Sequence, residues 1–168
     1  MNRDALRALQ EPLKSRYREN PASARVTLVT DGTINRGLSC SVATGRAVAE
    51  AGLHPASGGD GTLLCSGDML LESLAACAGV TMSAVATAIG IEIRSGTVHV
   101  EGDLDFRGTL AVAKDAPVGF IAIRVRFDLD SDASDDDLQT LIRLTERYCV
   151  VLQTLAGSPP MSVAYRRP

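Results

Sequence analysis

The chain has 168 residues, 45% hydrophobic and 22% charged, which is enough apolar material for one packed core and points to a single domain over residues 1–168. A net charge of −3 offers no general attraction for nucleic acid or an anionic membrane surface, so both partner classes are set aside. With Trp absent and aromatics at 4%, the core must be built from Val, Leu, Ile and Ala, and few rings remain to stack on bases.

The first twenty residues carry charges throughout and lack the apolar stretch and small-residue cleavage site of a secretion signal, so a cytoplasmic location is expected. Leu6, Leu9 and Leu13 predict a short amphipathic helix over Asn2 to Tyr17, kinked or divided at Pro12, and residues 1–20 read as a helical extension. Arg25 to Thr30 and Leu38 to Ala43 predict a hairpin around Asp31, Gly32, Asn35 and Gly37. His54 to Gly67 is Gly, Ser, Pro and Asp chemistry, and predicts a loop.

A helix should begin near Asp68, a good cap, and run to Gly90. Asp68 and Glu72 are its only charges, so it should be enclosed on most sides; its Ala, Gly, Ser and Thr content favours a buried central helix over a membrane span. Three strands follow, Thr97 to Leu104, Phe106 to Ala113 and Phe120 to Leu129, as a half-buried antiparallel meander. In the last, Ile121, Ile123, Val125, Phe127 and Leu129 share one face. Ser134 and Asp137 form an acidic capping box for a second main helix, with an inward stripe of Leu138, Leu141, Thr145, Tyr148, Cys149 and Leu152. Pro159 and Pro160 end it, and Met161 to Tyr165 predicts a final strand. The whole is an α+β arrangement.

Four cysteines, Cys40, Cys65, Cys77 and Cys149, lie too far apart for zinc-knuckle spacing, and His54 and His99 make no HxxxH or HxH pair, so no metal or other cofactor is expected. Cys40 reads as core in a strand, and His99 falls on the polar phase of its strand. A cysteine in an Ala-rich helix is ordinarily a small buried hydrophobe, and residue chemistry alone assigns Cys77 no more than that.

Two segments carry more. SGDMLLESLAACAGVTMSAVATAIGI and ERYCVVLQTL resemble the two cysteine helices of the OsmC/Ohr family: an "AAC" stretch in a hydrophobic helix, a meander, then a second cysteine followed by small apolar residues. The resemblance extends from the first hairpin to the last strand. It implies an OsmC-like fold, with antiparallel sheets wrapped around two main helices in an intertwined homodimer. It further implies a thiol-dependent peroxidase that reduces organic hydroperoxides in oxidative-stress defence, with Cys77 as the peroxidatic and Cys149 as the resolving cysteine. A free thiol is only about 3% thiolate at neutral pH, so the peroxidatic sulfur needs a positive neighbour or hydrogen-bond donors.

In that family an arginine of the early hairpin stabilises the thiolate, which implies Arg36, with Arg46 as a rival. Family members also carry a glutamate ten positions before the first cysteine, where this chain has Gly67. Asp68 is a substitute if it does not simply cap its helix, and Glu72, one turn before Ala76, either faces the site or pairs with a basic residue. Cys65 either competes for the sulfenic acid or lines the pocket. The resemblance implies a dithiol reductant, lipoyl groups serving related proteins, and the apolar surroundings Met69, Leu70, Leu74 and Val80 suit an apolar peroxide tail. The alternative is an OsmC-like protein without peroxide chemistry, which binds a small molecule or senses redox state.

Overall fold

The structure is a computed structural model that describes residues 2–20, 32–34, 39–44, 47–111 and 113–167. Asn2 accepts from the Ala5 amide at 2.8 Å and opens helix α1 (Arg3–Glu19). This helix runs on through Pro12 without dividing: a proline removes one i→i−4 bond, and the turns on either side retain theirs. A four-stranded sheet follows, in the order β1 (Gly32–Ile34), β2 (Ser39–Thr44), β3 (Ala47–Gly52), β4 (Leu64–Cys65), with β4 parallel to β3 and the other pairs antiparallel. Strand β2 is the expected one shifted by one residue, but its described partners are β1 and β3. Residues 25–30 lie outside the described residues, Gly32 is strand rather than turn, and β3, an Ala-rich segment of low strand propensity, is held by pairing.

The loop from His54 is tied down locally. His54 Nδ1 accepts from the Ala56 amide at 3.0 Å, and its ring stacks on Phe106 at 4.9 Å. A Cβ on Gly59 would stand 1.8 Å from the Leu53 carbonyl oxygen, so only glycine lets the chain close back on itself there.

Helix α2 (Ser66–Ile89) ends as expected at Gly90, whose φ of 80° puts it in the left-handed region. Its start differs. Cys65 is the N-cap, with no side-chain capping bond, and Asp68 sits inside the first turn, where it complements the helix dipole instead of capping. Leu74, Ala78, Met82 and Ala86 form its buried stripe at i, i+4 spacing. The other side is open, Val80 being 72% exposed, so within one chain the helix is covered on one face and not enclosed on most sides. Among the described residues α2 is also the one helix long and apolar enough to cross a membrane. Its buried stripe is packed on protein, against β5 (Ser95–Leu104) and the last two helices.

Strand β5 pairs antiparallel with β6 (Phe120–Asp130) in a two-stranded sheet. Val98, Val100, Ile123, Val125 and Phe127 pack inward, while Arg124 pairs with Glu101 and Asp103 on the outer face, and His99 and Arg126 with Asp128. A register shift between Asp103 and Leu104 pairs Leu104 with Phe120, and Ile121, 58% exposed, borders the same cavity as Ile123, Val125 and Phe127. Among the described residues the expected middle strand does not form. Asp105 caps a short helix α3 (Phe106–Thr109) by accepting from the Arg107 amide at 3.0 Å, and Gly108 is pressed against the Pro117 carbonyl, so the segment folds back instead of extending.

Ser134 caps α4 (Asp135–Tyr148), accepting from the Asp137 amide and donating to its carboxylate, as the capping box predicts. The expected single second helix is two. Cys149, at φ −72° and ψ 108°, closes α4 and opens α5 (Val150–Gly157), and Tyr148 points to solvent rather than along the inward stripe. The expected strand at Met161 to Tyr165 does not form. No described strand of the chain pairs with it, and Met161, Val163 and Tyr165 are exposed.

Candidate functional site

The break at Cys149 builds the site. The Cys149 amide donates to the Thr145 carbonyl at 2.9 Å and its own carbonyl accepts from Gln153 at 2.9 Å, so backbone order continues across the break. The amides of Val150, Val151 and Leu152 fall in the first turn of α5, where a helix has no carbonyl of its own to offer them. Val151 and Leu152 of this turn pack against the cluster that holds Cys149.

Cys77 reaches this cradle from α2, half-buried, beside Leu74 and Ala78, while Cys149 is 0% exposed in the same cluster. Both are free thiols, and Cys77 packs against the buried cluster that holds Cys149. Burial pushes the Cys77 thiol up, but the Val151 amide, the Cys149 thiol, the Thr81 hydroxyl and the Val150 amide outweigh it and hold Cys77 below the ordinary thiol range. Burial also pushes Cys149 up; the Leu152 and Val151 amides oppose it, and the adjacent Cys77 adds to the rise. The two thiols are shifted in opposite directions, Cys77 down and Cys149 up.

The other expected site residues are dispersed. Arg36 and Arg46 lie outside the described residues, as does the side chain of Cys40. Cys65 is twelve residues before Cys77 at the head of the same helix, about 18 Å away by helical rise, far beyond the roughly 7 Å between the α-carbons of a disulfide. Within one chain it cannot compete for a Cys77 sulfenic acid. It lies instead beside Gly67, near Phe120 and Leu104. Asp68 and Glu72 line a shallow groove of about 350 Å³ with Leu71, Ala75 and His99. At 3.6 residues per turn both lie about 140–180° around α2 from Cys77, and face away from it.

Thr81 and the α5 amides were not among the expected site residues. Thr81 was visible as a hydroxyl four residues after Cys77; the amides were hidden by reading α4 and α5 as one helix. On the far side of Leu74 a cavity of about 550 Å³ opens between β6 and α4/α5, lined by Leu74, Ile123, Phe127, Leu152 and Leu155 with Glu146. It touches neither sulfur.

Thr145, one turn before Cys149, is buried, and its hydroxyl has no hydrogen-bond partner among the described residues. Such a group is destabilising by the desolvation it suffers, so Thr145→Val is expected to raise unfolding stability by about 1 kcal/mol. Urea denaturation tests this. A loss of stability would mean that the hydroxyl is satisfied in the assembled protein.

Comparison with known proteins agrees with this architecture. The family model described as OsmC-like protein matches residues 59–164. An OsmC-like protein from Mycoplasma pneumoniae superposes with a TM-score of 0.68 at 20% identity, over 79% of this chain and 89% of that one. An organic hydroperoxide resistance protein OsmC from Legionella pneumophila gives 0.61 at 15% identity, over 79% and 93%. An OsmC-like protein of unknown function from Vibrio cholerae gives 0.58 at 12%, over 77% and 94%. At these identities the structures show a shared fold. No curated protein matches the sequence.

Proposed function

Because this chain belongs to the OsmC-like protein family, we propose that it is a thiol-dependent peroxidase that reduces organic hydroperoxides through Cys77 and Cys149. The observation that carries this reading is that Cys77 of α2 packs against the buried cluster holding Cys149, with the Cys77 thiol lowered and the Cys149 thiol raised from the ordinary value. In the proposed cycle the Cys77 thiolate forms a bond to one peroxide oxygen as the O–O bond breaks. The departing alkoxide takes a proton from water and leaves as alcohol, and Cys77 becomes a sulfenic acid. The Cys149 sulfur then displaces the sulfenic oxygen, which leaves as water, and forms a disulfide. A dithiol, of lipoyl type by analogy with related proteins, returns both thiols and is itself oxidised to a disulfide.

Arg36, with Arg46 as its rival, is the proposed charge partner of the thiolate. Asp68 and Glu72 have less support, since they face away from it within one chain. The exposed apolar residues of α2, with Val80 72% and Leu70 37% exposed, support an intertwined homodimer in which a second chain covers them. Residues 1–168 are proposed as one OsmC-like domain that works in the cytoplasm in oxidative-stress defence. The second reading, a family member that binds a small molecule without peroxide chemistry, is favoured by the apolar cavity that touches neither sulfur.

Cumene hydroperoxide distinguishes the two. Wild type is expected to lose two thiols per chain to a Cys77–Cys149 disulfide mapped by mass spectrometry, and Cys77→Ser to consume no peroxide. Retention of both thiols at a modest peroxide excess would leave the fold intact and the peroxidase reading without support.

A further inference from the structure

A helix leaves its last four carbonyls without amides of its own to serve them. In α4 these run from Thr145 to Tyr148. The Thr145 carbonyl takes the Cys149 amide at 2.9 Å, the last such bond before the backbone of Cys149 turns to a ψ of 108°. In an unbroken helix the next carbonyl, that of Glu146, would take the Val150 amide. Past the bend a side chain serves it: Gln153 Nε2 donates to the Glu146 carbonyl at 3.0 Å, seven residues back. The main-chain amide of the same Gln153 donates to the Cys149 carbonyl at 2.9 Å. One residue of α5 thus grips the bend twice, its amide at the pivot and its carboxamide at the end of α4.

We propose that Gln153 is a positioning residue, a staple across the α4/α5 bend that fixes how Cys149 is presented to Cys77. Both arms of the bend pack on α2: α4 through Leu141 against Met82 and Ala86, and α5 through Val151, Leu152 and Leu155 against the cluster of Leu74 and Ala78. Cys149 is the pivot between them, so a swing of α5 changes how that pivot seats beside Cys77. One non-helical ψ joins the two helices, and a backbone ψ is a soft dihedral. The side-chain bond closes a second connection around it and turns a hinge into a corner. Because the bond is exposed, water replaces it at the Glu146 carbonyl when it is lost, so its removal should loosen the geometry with little effect on thermal unfolding. The inference rests on the proposed pairing of Cys77 with Cys149, and names the residue that holds the resolving cysteine in place.

Equilibration of the full-length protein with glutathione reads this geometry without peroxide. Two protein thiols and one glutathione disulfide become the Cys77–Cys149 disulfide and two glutathione thiols, and the equilibrium ratio is the effective concentration of one cysteine at the other. Mass spectrometry of the joined peptides quantifies that linkage. Gln153→Met, which keeps the side-chain length and lacks the donor, is expected to lower the effective concentration about fivefold, the scale of one hydrogen bond. Gln153→Glu, an acceptor only when ionised, is expected to lower it at least as far. Gln153→Lys restores a donor beside the last α4 carbonyls, and is expected to return to within about twofold of wild type. A methionine variant within about twofold of wild type overturns the proposal, as does a lysine variant as low as methionine, or a wild type that forms no Cys77–Cys149 linkage. Cumene hydroperoxide consumption by wild type separates the two readings. A lowered methionine variant in a protein that consumes no peroxide removes the peroxidase and keeps the staple, whereas normal consumption with an unmoved methionine variant removes the staple alone.

Discussion

Under excess organic hydroperoxide, Cys149→Ser is expected to drive Cys77 past the sulfenic acid to sulfinic and sulfonic acids, while wild type stops at the disulfide. The reason is competition for one intermediate. A Cys77 sulfenic acid has Cys149 in the cluster it packs against, and a partner so placed acts at an effective concentration far above any added peroxide. Without it, the next reactant to arrive is a second peroxide, and the further oxidation is irreversible for a protein without a dedicated repair enzyme. We expect at least about a hundredfold more over-oxidation at equal peroxide, on the scale of intramolecular advantages, read as oxygen added to the Cys77 peptide. Equal over-oxidation in wild type and variant would remove Cys149 from the resolving role and leave the first step standing.

Leu141→Ala is expected to lower unfolding stability by about 2–5 kcal/mol, the usual range for emptying a filled core position. Leu141 is 0% exposed and clusters with Met82 and Ala86 of α2, so it joins the two cysteine-bearing helices. The loss should be followed by slower disulfide formation under peroxide, because the same contact sets where the C-terminal end of α4 delivers Cys149. Urea denaturation measures the first effect and the rate of thiol loss the second. A destabilisation under about 1 kcal/mol would place the anchorage of α4 elsewhere.

The parts of this molecule that are legible in its sequence are those where a local rule acts alone. Helix α2 is legible because a long uncharged run ends at Gly90, and the start of α4 because Ser134 and Asp137 can satisfy each other. The segment from Phe106 misleads because its apolar spacing resembles a strand, while the Asp105 cap and the close approach of Gly108 to Pro117 are tertiary facts. The break at Cys149 is hidden for a related reason. Glu-Arg-Tyr-Cys-Val-Val contains neither glycine nor proline, so nothing interrupts the helical period. Only the packing of α5 reveals it. The two cysteines were paired from the family resemblance, and the cluster in which they meet emerges from the packing of α5 against α2.

The position at the α4/α5 junction has a divided nature. Its main chain bonds backward to Thr145 and forward from Gln153, so the bend belongs to the peptide groups, whereas the reactivity belongs to a sulfur that makes no capping bond. Architecture and chemistry there are separable inheritances. A descendant of this protein can give up the thiol and still keep the main-chain bonds that hold the bend.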